Sequence, residues 1–469
     1  MNMLRPDIHA QRRARLRARV GAPILLVGCG LRDRNLPGYG LPFRQDSTFL
    51  YFTGCAVPNA AMLLTGEGAT LFLQPPAEDD ALWHGHTETI AQSAAALGFS
   101  RVRPIDELED ACAPLTGSLR TLAGPDNNAN RRAAAITGRS TLRFGRDNGH
   151  EDLAAAVVAL RRTLDADEIA AMKAASAATG QAHRAAMAVT RIGGHEREVS
   201  AVFSGVLAAH GLSTAYDSIV TVRGEVLHNF HYVNRLEDGQ LLLLDGGGEA
   251  PSGYANDVTR TWPVSGHFSA RQRAAYDAVL AAQHAAIDMV RPGARYRDIH
   301  MAAARVIATF LRDEGLLTVD ADTALESGAH ALFFPHGTGH LIGLDVHDLE
   351  AFGDAALYGP GRSRSDQFGT AYLRIDLDLQ PGMVVTIEPG FYVVPAILGD
   401  EALTSRFKGQ LDLDRAREWI GFGGIRIEDD VATTATGHDV LTGHIPKAPG
   451  DVEAAVQRDF RWEDFTPRG

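Results

Sequence analysis

The sequence predicts an α/β (α+β) protein of two domains, and three observations lead to this prediction. The chain of 469 residues is about three times the length of a typical single domain. Its hydrophobic fraction of 45% is sufficient for large cores. Helical and strand-like patterns alternate along the whole chain. We expect a smaller domain at residues 1–163 and a larger one at residues 164–469, with the boundary in the charged segment Arg161–Asp167.

The amino-terminal region predicts a mixed α/β domain. Residues 1–20 contain six arginines and precede the apolar segment Ala22–Val27, which loosely imitates a secretory signal. Arg32 and Arg34 follow where a small-residue cleavage site would lie, so we interpret the region as a basic surface helix leading into a first strand. Further along, Leu63–Leu64 and Leu71–Leu73 flank a turn and predict a hairpin of buried strands.

The second region has stronger periodicity. In the predicted helix Glu196–His210, apolar residues recur at helical spacing, and Ser269 with Gln272 forms a capping box before a later helix. The order helices, strands, helices, strands predicts two similar halves related by a pseudo-twofold axis. The predicted helices are 168–189, 196–210, 274–289 and 297–311, and the predicted strands are 218–222, 240–244, 258–262, 383–387 and 424–431.

Composition excludes several classes of function. The net charge of −13, from 45 basic and 58 acidic residues, argues against a nucleic-acid partner. Cys29, Cys55 and Cys112 include no CxxC pair, which favours neither a disulfide framework nor a thiolate zinc site. They fit a reducing, cytoplasmic location. No apolar run approaches the roughly 20 residues that cross a bilayer, so no membrane association is expected.

Four acidic residues stand at or near apolar strands. Asp245 follows Leu241–Leu244, and Glu388 follows a second apolar run, whereas Asp257 opens a strand and Glu428 lies within one. A buried carboxylate costs several kcal/mol unless it is paired or binds a metal ion. One such residue alone would be explained by a turn or an arginine partner. Four of them favour a metal site.

A histidine cluster lies between the acidic residues of the two halves. His336, His340 and His347 occur within twelve residues of a glycine-rich segment, HGTGHLIGLDVHD. A single histidine is more often a surface or core residue than a ligand, but three in such a segment indicate a site. Four carboxylates and one imidazole are an oxygen-rich donor set, which suits two divalent cations of the manganese, cobalt or zinc type.

Several of these segments together resemble the Xaa-Pro aminopeptidase and prolidase group of dinuclear metallopeptidases. The similar segments are LLLLDGGG, YANDVTRTWPV, HGTGHLIGLDVHD, GMVVTIEPGFYV and GGIRIEDDV. An upstream segment, FRQDSTFLYFTG at residues 43–54, is similar to the creatinase-like amino-terminal domain of that group. The resemblance covers about residues 10–445. It implies a pita-bread catalytic domain after a creatinase/aminopeptidase-P-like domain.

The resemblance also implies five metal ligands: Asp245, Asp257, His340, Glu388 and Glu428. In the family pattern Asp257 and Glu428 bridge two ions, Asp245 completes one shell, and His340 with Glu388 completes the other. Asp245 and Asp257 lie twelve residues apart, one more than the pattern, and the intervening turn can absorb the insertion. Two cations, expected to be Mn²⁺ with Co²⁺ or Zn²⁺ as alternatives, would lower the pKa of a bound water and polarise the scissile carbonyl.

Further roles in proton transfer and oxyanion binding are implied for His336, His347 and one histidine of the segment GEVLHNFHY. Counting back from Asp238 favours His228, whereas matching the His-Tyr pair favours His231; His228 is preferred and both remain candidates. Arg426 is expected to hold a bridging carboxylate or Asp257 through a bidentate contact.

The activity implied by the resemblance is removal of the amino-terminal residue from peptides with proline in the second position. The nearest alternative is an Xaa-Pro dipeptidase (prolidase), and a more distant one is a non-catalytic binding protein on the same fold. The implied partners are proline-containing peptides and further copies of the chain in a dimer or tetramer.

Overall fold

The chain forms two compact units in the computed structural model, which describes residues 4–36, 38–85 and 87–467. The first unit contains the described part of Asn2–Arg162 together with Leu349–Ala356. The second contains Thr163–Asp348 and the described part of Leu357–Gly469. The inclusion of Leu349–Ala356 in the first unit differs from a division into the contiguous ranges 1–163 and 164–469.

The first unit contains a four-stranded sheet in the order β1-β2-β3-β4, with β3 and β4 parallel. The predicted hairpin is confirmed, because β2 and β3 pair antiparallel with Leu63 opposite Thr70. A core of buried side chains that includes Leu25, Phe72 and Leu108 packs on this sheet. The elements are α1 (Pro6–Val20), β1 (Ile24–Val27), α2 (Ser47–Thr53), β2 (Ala61–Thr65), β3 (Gly68–Leu73), α3 (Asp80–His84), α4 (Ile90–Ala96), β4 (Val102–Pro104), α5 (Leu108–Cys112), α6 (Asn127–Thr137) and α7 (Glu151–Arg161).

Helix α1 and strand β1 confirm the predicted basic helix and first strand, but α1 is not wholly a surface helix. Arg12 and Arg13 are buried, and their guanidinium groups donate to the carbonyl oxygens of Tyr51 and Phe52 at 3.3 and 2.8 Å. These carbonyls belong to the last turn of α2, where backbone acceptors have no partner within the helix. Arginine side chains therefore complete the end of α2.

The second unit alternates helix pairs with small sheets. The order is helices, strands, helices, strands, as predicted. Its elements, together with α13, are α8 (Ala166–Val189), α9 (Glu196–Ala209), β5 (Ser213–Thr214), β6 (Ile219–Thr221), β7 (Leu241–Asp245), β8 (Gly248–Glu249), β9 (Thr259–Pro263), α10 (Ala270–Ile287), α11 (Tyr296–Asp313), α12 (Ala321–Ser327), α13 (Asp354–Leu357), β10 (Val384–Ile387), β11 (Gly390–Tyr392), α14 (Pro395–Gly399), α15 (Glu401–Thr404), α16 (Leu413–Arg417), β12 (Gly424–Arg426), β13 (Asp429–Thr433), β14 (His438–Val440) and α17 (Pro449–Val456). Short 3-10 helices in the chain lie at Ile105–Glu107, Ala113–Leu115, Ala329–Leu332, Glu350–Phe352, Thr370–Tyr372, Ser405–Phe407 and Trp462–Asp464.

The two halves of the second unit meet along strand β9. Helix α8 packs on α9 and α10 packs on α11, and the predicted capping box of Ser269 and Gln272 begins α10. Strands β6, β7 and β9 form one sheet, while β10, β13 and β14 form another. The backbone N–H of Glu428 donates to the Thr259 carbonyl at 3.0 Å, and the Thr261 hydroxyl donates to the Arg426 carbonyl at 3.0 Å. Residues near Glu428 are thereby fixed against the first half.

The prediction of one continuous strand over residues 424–431 is wrong. Strand β12 pairs with β11, placing Arg426 opposite Gly390, whereas β13 pairs with β10, placing Asp429 opposite Ile387. Ile427 and Glu428 lie between the two strands. The chain exchanges one pairing partner for another at this point, and the break releases Glu428 from a regular ladder.

Two further features concern the residue types singled out by composition. Cys29, Cys55 and Cys112 are buried free thiols. Across the described ranges, no helix has both the length and the apolar character that a bilayer span requires.

Candidate metal centre

The five predicted ligands come from the ends of strands and from adjacent irregular segments. Asp245 is the last residue of β7 and Asp257 precedes β9. Glu388 follows β10, Glu428 lies between β12 and β13, and His340 belongs to a segment that pairs with β10. All five thus lie on the strands of the second unit, two from its first half and three from its second.

Two glycines permit the close backbone approaches that build this centre. A Cβ atom on Gly247 would lie 1.7 Å from the Asn256 carbonyl oxygen, so only glycine lets the turn after β7 approach the segment before Asp257. Gly339 has φ +154°, and a Cβ there would lie 2.1 Å from the Thr386 carbonyl oxygen. This contact places His340 beside β10, where its carbonyl accepts from the Thr386 N–H at 3.0 Å.

The side-chain oxygen and nitrogen atoms of these residues form overlapping groups. Within each group, the possible ligand atoms lie within 4.8 Å of one another. His340 Nε2 lies 3.4 Å from Asp257 Oδ2 and 3.8 Å from Glu388 Oε1, which connects the groups. Glu428 belongs to two of them, as expected of a carboxylate shared between two ions. The groups are Asp245, Asp257 and Glu428; His340, Glu388 and Glu428; and Asp257, His340 and His347.

The tautomer of His340 suits metal binding. Its Nδ1 lies 3.0 Å from the Leu341 carbonyl oxygen. Since a carbonyl oxygen only accepts, Nδ1 carries the proton, and the lone pair of Nε2 points toward the carboxylates of Asp257 and Glu388. Metal-binding histidines commonly have their second ring nitrogen held in this way.

The electrostatics of the centre also fit divalent cations. Burial raises the pKa of Glu388 to about 8, and the neighbouring Asp257 adds to the increase. Burial and the charges of Asp257 and Glu388 raise the pKa of Glu428 well above its usual range. Burial is also the main cause of the raised pKa values of Asp245 and Asp257. Crowded buried carboxylates of this kind need compensating positive charge, so the donor set fits a pair of divalent cations.

Binding of cations is therefore expected to release protons. At pH 7 the Glu388 carboxyl, with its pKa raised to about 8, is mostly protonated in the metal-free protein and must lose that proton to become a ligand. Apparent metal affinity should rise with pH up to about 8 and then level off. Calorimetric titration with Mn²⁺ in buffers of different ionisation enthalpy measures the release. No release at pH 7, or equal release at pH 7 and pH 9, would contradict the assignment.

Arg426 connects several of these groups. Its Nη2 forms an ion pair with Asp245 Oδ2 at 2.5 Å, and its Nε donates to the Thr259 hydroxyl at 3.0 Å. The Thr259 hydroxyl in turn donates to Glu428 Oε2 at 2.6 Å. The expected direct contact with Asp257 or a bridging carboxylate is replaced by a contact with Asp245 and an indirect connection to Glu428. Arg426 also donates to the Tyr392 hydroxyl at 3.0 Å.

His336 and His347 both lie beside the predicted ligands. His336 Nδ1 lies 2.8 Å from the Gly337 carbonyl oxygen and therefore donates, while Nε2 accepts from the Tyr392 hydroxyl at 2.8 Å. The His347 ring lies 4.3 Å from that of His340, centroid to centroid. Burial, with the nearby positive charge of Arg426, lowers the pKa of His336 to about 3. Desolvation and the neighbouring His340 lower that of His347 to about 3, although part of the ring is exposed.

The two alternative histidines of the segment after β6 differ in their surroundings. The charge of His228 is among those that lower the pKa of His336, so His228 lies within electrostatic range of the centre. Its ring is parallel to that of Phe230 at 6.4 Å. His231 is exposed, and its backbone N–H donates to the Asn229 side-chain oxygen at 3.1 Å. This difference favours His228 as the candidate.

The sequence gave no signal for two tyrosines of the centre. The Tyr216 hydroxyl donates to Asp245 Oδ1 at 2.6 Å and also contacts Asp257 Oδ1. Burial and these carboxylates raise the pKa of Tyr216 well above 10, so it remains a phenol. Tyr392 joins Arg426 to His336. Neither tyrosine belongs to a cluster of ionisable residues in the sequence, and only the fold brings them to the centre.

Comparison with known families agrees with this geometry. Residues 170–435 match the model of metallopeptidase family M24, and residues 9–122 match that of the aminopeptidase P amino-terminal domain. The chain belongs to the M24 metallopeptidases. The predicted family and the predicted order of two mixed helix–strand domains are therefore confirmed.

Relatives of this M24 metallopeptidase span two related activities. A probable Xaa-Pro aminopeptidase of Verticillium alfalfae is 32% identical over 422 residues, which cover 88% of each chain. The Xaa-Pro dipeptidase of Homo sapiens is 30% identical over 452 residues, covering 93% of this chain and 89% of the human protein. The solved structure of proline aminopeptidase P II from Yersinia pestis has a TM-score of 0.80 and 29% identity, covering 97% of this chain and 99% of that one.

Proposed function

We propose that this M24 metallopeptidase is a dinuclear metal-dependent Xaa-Pro aminopeptidase, which releases the amino-terminal residue from peptides with proline in the second position. The observation that carries the proposal is the pair of ligand groups that share Glu428 and lie beside three histidines. The proposed ligands are Asp245, Asp257, His340, Glu388 and Glu428. Relatives named Xaa-Pro aminopeptidase over most of the chain support the choice of substrate.

The neighbouring side chains have distinct proposed roles. When bound, two divalent cations supply Lewis acidity for attack of water on the scissile carbonyl. Arg426 holds Asp245 in place through its ion pair. His347, with its lowered pKa, is neutral at pH 7 and can donate an N–H hydrogen bond to the developing oxyanion. His336 is held by Gly337 and Tyr392, and His228 is the proposed donor of a proton to the leaving nitrogen.

Other features of the proposal follow from the donor set and the family. Four carboxylates and one imidazole favour Mn²⁺ as the native cation, with Co²⁺ or Zn²⁺ as alternatives. We propose domains at residues 1–163 and 164–469, a dimer or tetramer of identical chains, and a cytoplasmic location. Elemental analysis and light scattering of the purified protein test the cation and the oligomer.

A second candidate, Xaa-Pro dipeptidase, is favoured by Arg374. Its positive charge acts on the pKa values of Glu388, His336 and His347, so the guanidinium lies within electrostatic range of the centre. A dipeptide presents its terminal carboxylate one residue beyond the scissile bond. An arginine near the centre suits that carboxylate.

Comparing Gly-Pro with Gly-Pro-Ala separates the two candidates. We expect the metal-loaded enzyme to prefer the tripeptide by at least about tenfold in kcat/KM, since an aminopeptidase does not require a carboxylate at that position. Replacing Arg374 with glutamine should then change tripeptide cleavage little, like the exposed control Arg406→Gln. Exclusive dipeptide cleavage that is lost in Arg374→Gln would establish the dipeptidase instead. Hydrolysis that survives exhaustive chelation would exclude both.

A further inference from the structure

A second cavity lies in the same unit, and its lining includes none of the proposed ligands. Its volume is ≈ 610 Å³, and its walls come from α8, α10, α17 and residues 443–448. Five of its lining residues are basic or imidazole side chains: Arg184, His284, His444, Lys447 and Arg458. One of the lining residues is acidic, Asp451.

The charges around this cavity favour an anion. Burial lowers the pKa of both lining histidines, and the positive charges of Lys447 near His284 and of Arg184 near His444 add to the effect. Arg458 is paired with Asp464 at 3.0 Å. Arg184 forms no ion pair with any acidic residue of the described chain. Even with Asp451 present, the histidines experience a net positive environment.

Arg184 and Lys447 retain hydrogen-bond donors that the protein does not use. Arg184 Nη2 donates to the His444 carbonyl at 2.6 Å, which is one of the five N–H groups of its guanidinium. Lys447 Nζ donates to Asp429 Oδ2 at 2.6 Å and to Gln283 Oε1 at 2.9 Å. An ammonium group has three N–H donors, so one of the three is left for another acceptor.

The wall of the cavity is connected to Glu428 through buried groups. Lys447 and Arg260 share the buried carboxylate of Asp429, and Arg260 Nη2 lies 2.8 Å from Asp429 Oδ1. Arg260 Nη1 also donates to the Glu428 carbonyl, while its Nε donates to the Pro446 carbonyl at 2.9 Å. Two cations around one carboxylate leave a local excess of positive charge. The segment that lines the cavity is thus the segment that holds Arg260.

We propose that this cavity binds a small organic anion, carrying a carboxylate or phosphate group, between Arg184 and Lys447. Apolar lining by Leu280, Ile445 and Phe465 would accommodate the organic part. An anion that accepts from Lys447 competes with Asp429 for its N–H groups. Binding should therefore loosen the Asp429–Arg260 support of Glu428 and inhibit hydrolysis; this coupling rests on the proposed role of Glu428 as a ligand.

Calorimetric titration of the metal-loaded protein with methyl phosphate and with butyrate tests the site without any assay of hydrolysis. We expect saturable binding with a Kd of about 0.1–10 mM for at least one of the two, which identifies the preferred headgroup. Arg184→Gln should weaken binding about tenfold or more, because a charge-assisted hydrogen bond is lost. Arg273→Gln, which alters an exposed ion pair on α10, is the control and should bind as the wild type does.

Each other outcome would overturn the proposal. No saturable binding, or equal binding by wild type and Arg184→Gln, would mean that the cavity is not an anion site and that any bound anion lies at the cations. The coupling predicts at least about twofold inhibition of hydrolysis by saturating anion in the wild type and none at that concentration in Arg184→Gln. Binding without inhibition would overturn the coupling. A protein inactive with every peptide would refute the proposed function but leave the calorimetric result interpretable.

Discussion

Replacing Glu428 with glutamine is expected to lower kcat/KM for Gly-Pro-Ala by at least about a thousandfold and to reduce the bound cations below two per chain. Glu428 belongs to two ligand groups, so loss of its charge affects both. Glutamine keeps the size of the side chain and an oxygen that can accept from the Thr259 hydroxyl. The fold should therefore persist. Steady-state kinetics and elemental analysis measure the two effects.

The matched control for this substitution is Glu418→Gln. Glu418 is an exposed acid of the same unit, and its replacement removes an equal charge without touching the centre. It should retain full activity and both cations. Near-normal turnover of Glu428→Gln with two cations still bound would refute the assignment of Glu428.

The alternative histidines provide a second large effect with its own control. We expect His228→Ala to lower kcat by about a hundredfold or more with cation content unchanged, since general acid–base groups commonly contribute factors of this size. His228 lies within electrostatic range of His336, whereas His231 is exposed. His231→Ala should stay within about threefold of the wild type, because it has no role in proton transfer. The reverse pattern would assign the role to His231.

Much of the fold follows from local patterns that act over a few residues. The capping box at Ser269, the hairpin around Leu63 and the long helices α8 to α11 depend on spacing and local hydrogen bonds, which a sequence displays directly. The positions of Asp245 and Glu388 at the ends of apolar strands were predicted for the same reason. A buried strand that ends in an acid is unusual enough to indicate a site.

Other features depend on packing between distant segments. The break between β12 and β13 arises because Arg426 and Asp429 pair with different strands, and an alternating pattern cannot reveal a change of partner. The ion pair of Arg426 with Asp245, instead of Asp257, is a result of the same arrangement. Tyr216 has no chemical signature in the sequence, since its function depends on two carboxylates that are distant along the chain.

Arginine burial was a further limit on prediction. Composition places Arg12 and Arg13 on the surface, yet their long apolar stems allow the charged ends to reach carbonyl groups at the end of α2. A count of charged residues does not distinguish an exposed arginine from one that caps another helix. Only the position of α2 decides between them.

The ligand group of Asp245, Asp257 and Glu428 draws on both halves of the second unit. An ion held by this group would act as a cross-link between segments that are otherwise connected by hydrogen bonds and packing. Resistance to heat and to proteases would then increase with the concentration of free cation, because a ligand that binds only the folded state stabilises it. Chelators would thereby reduce the lifetime of the protein as well as its turnover.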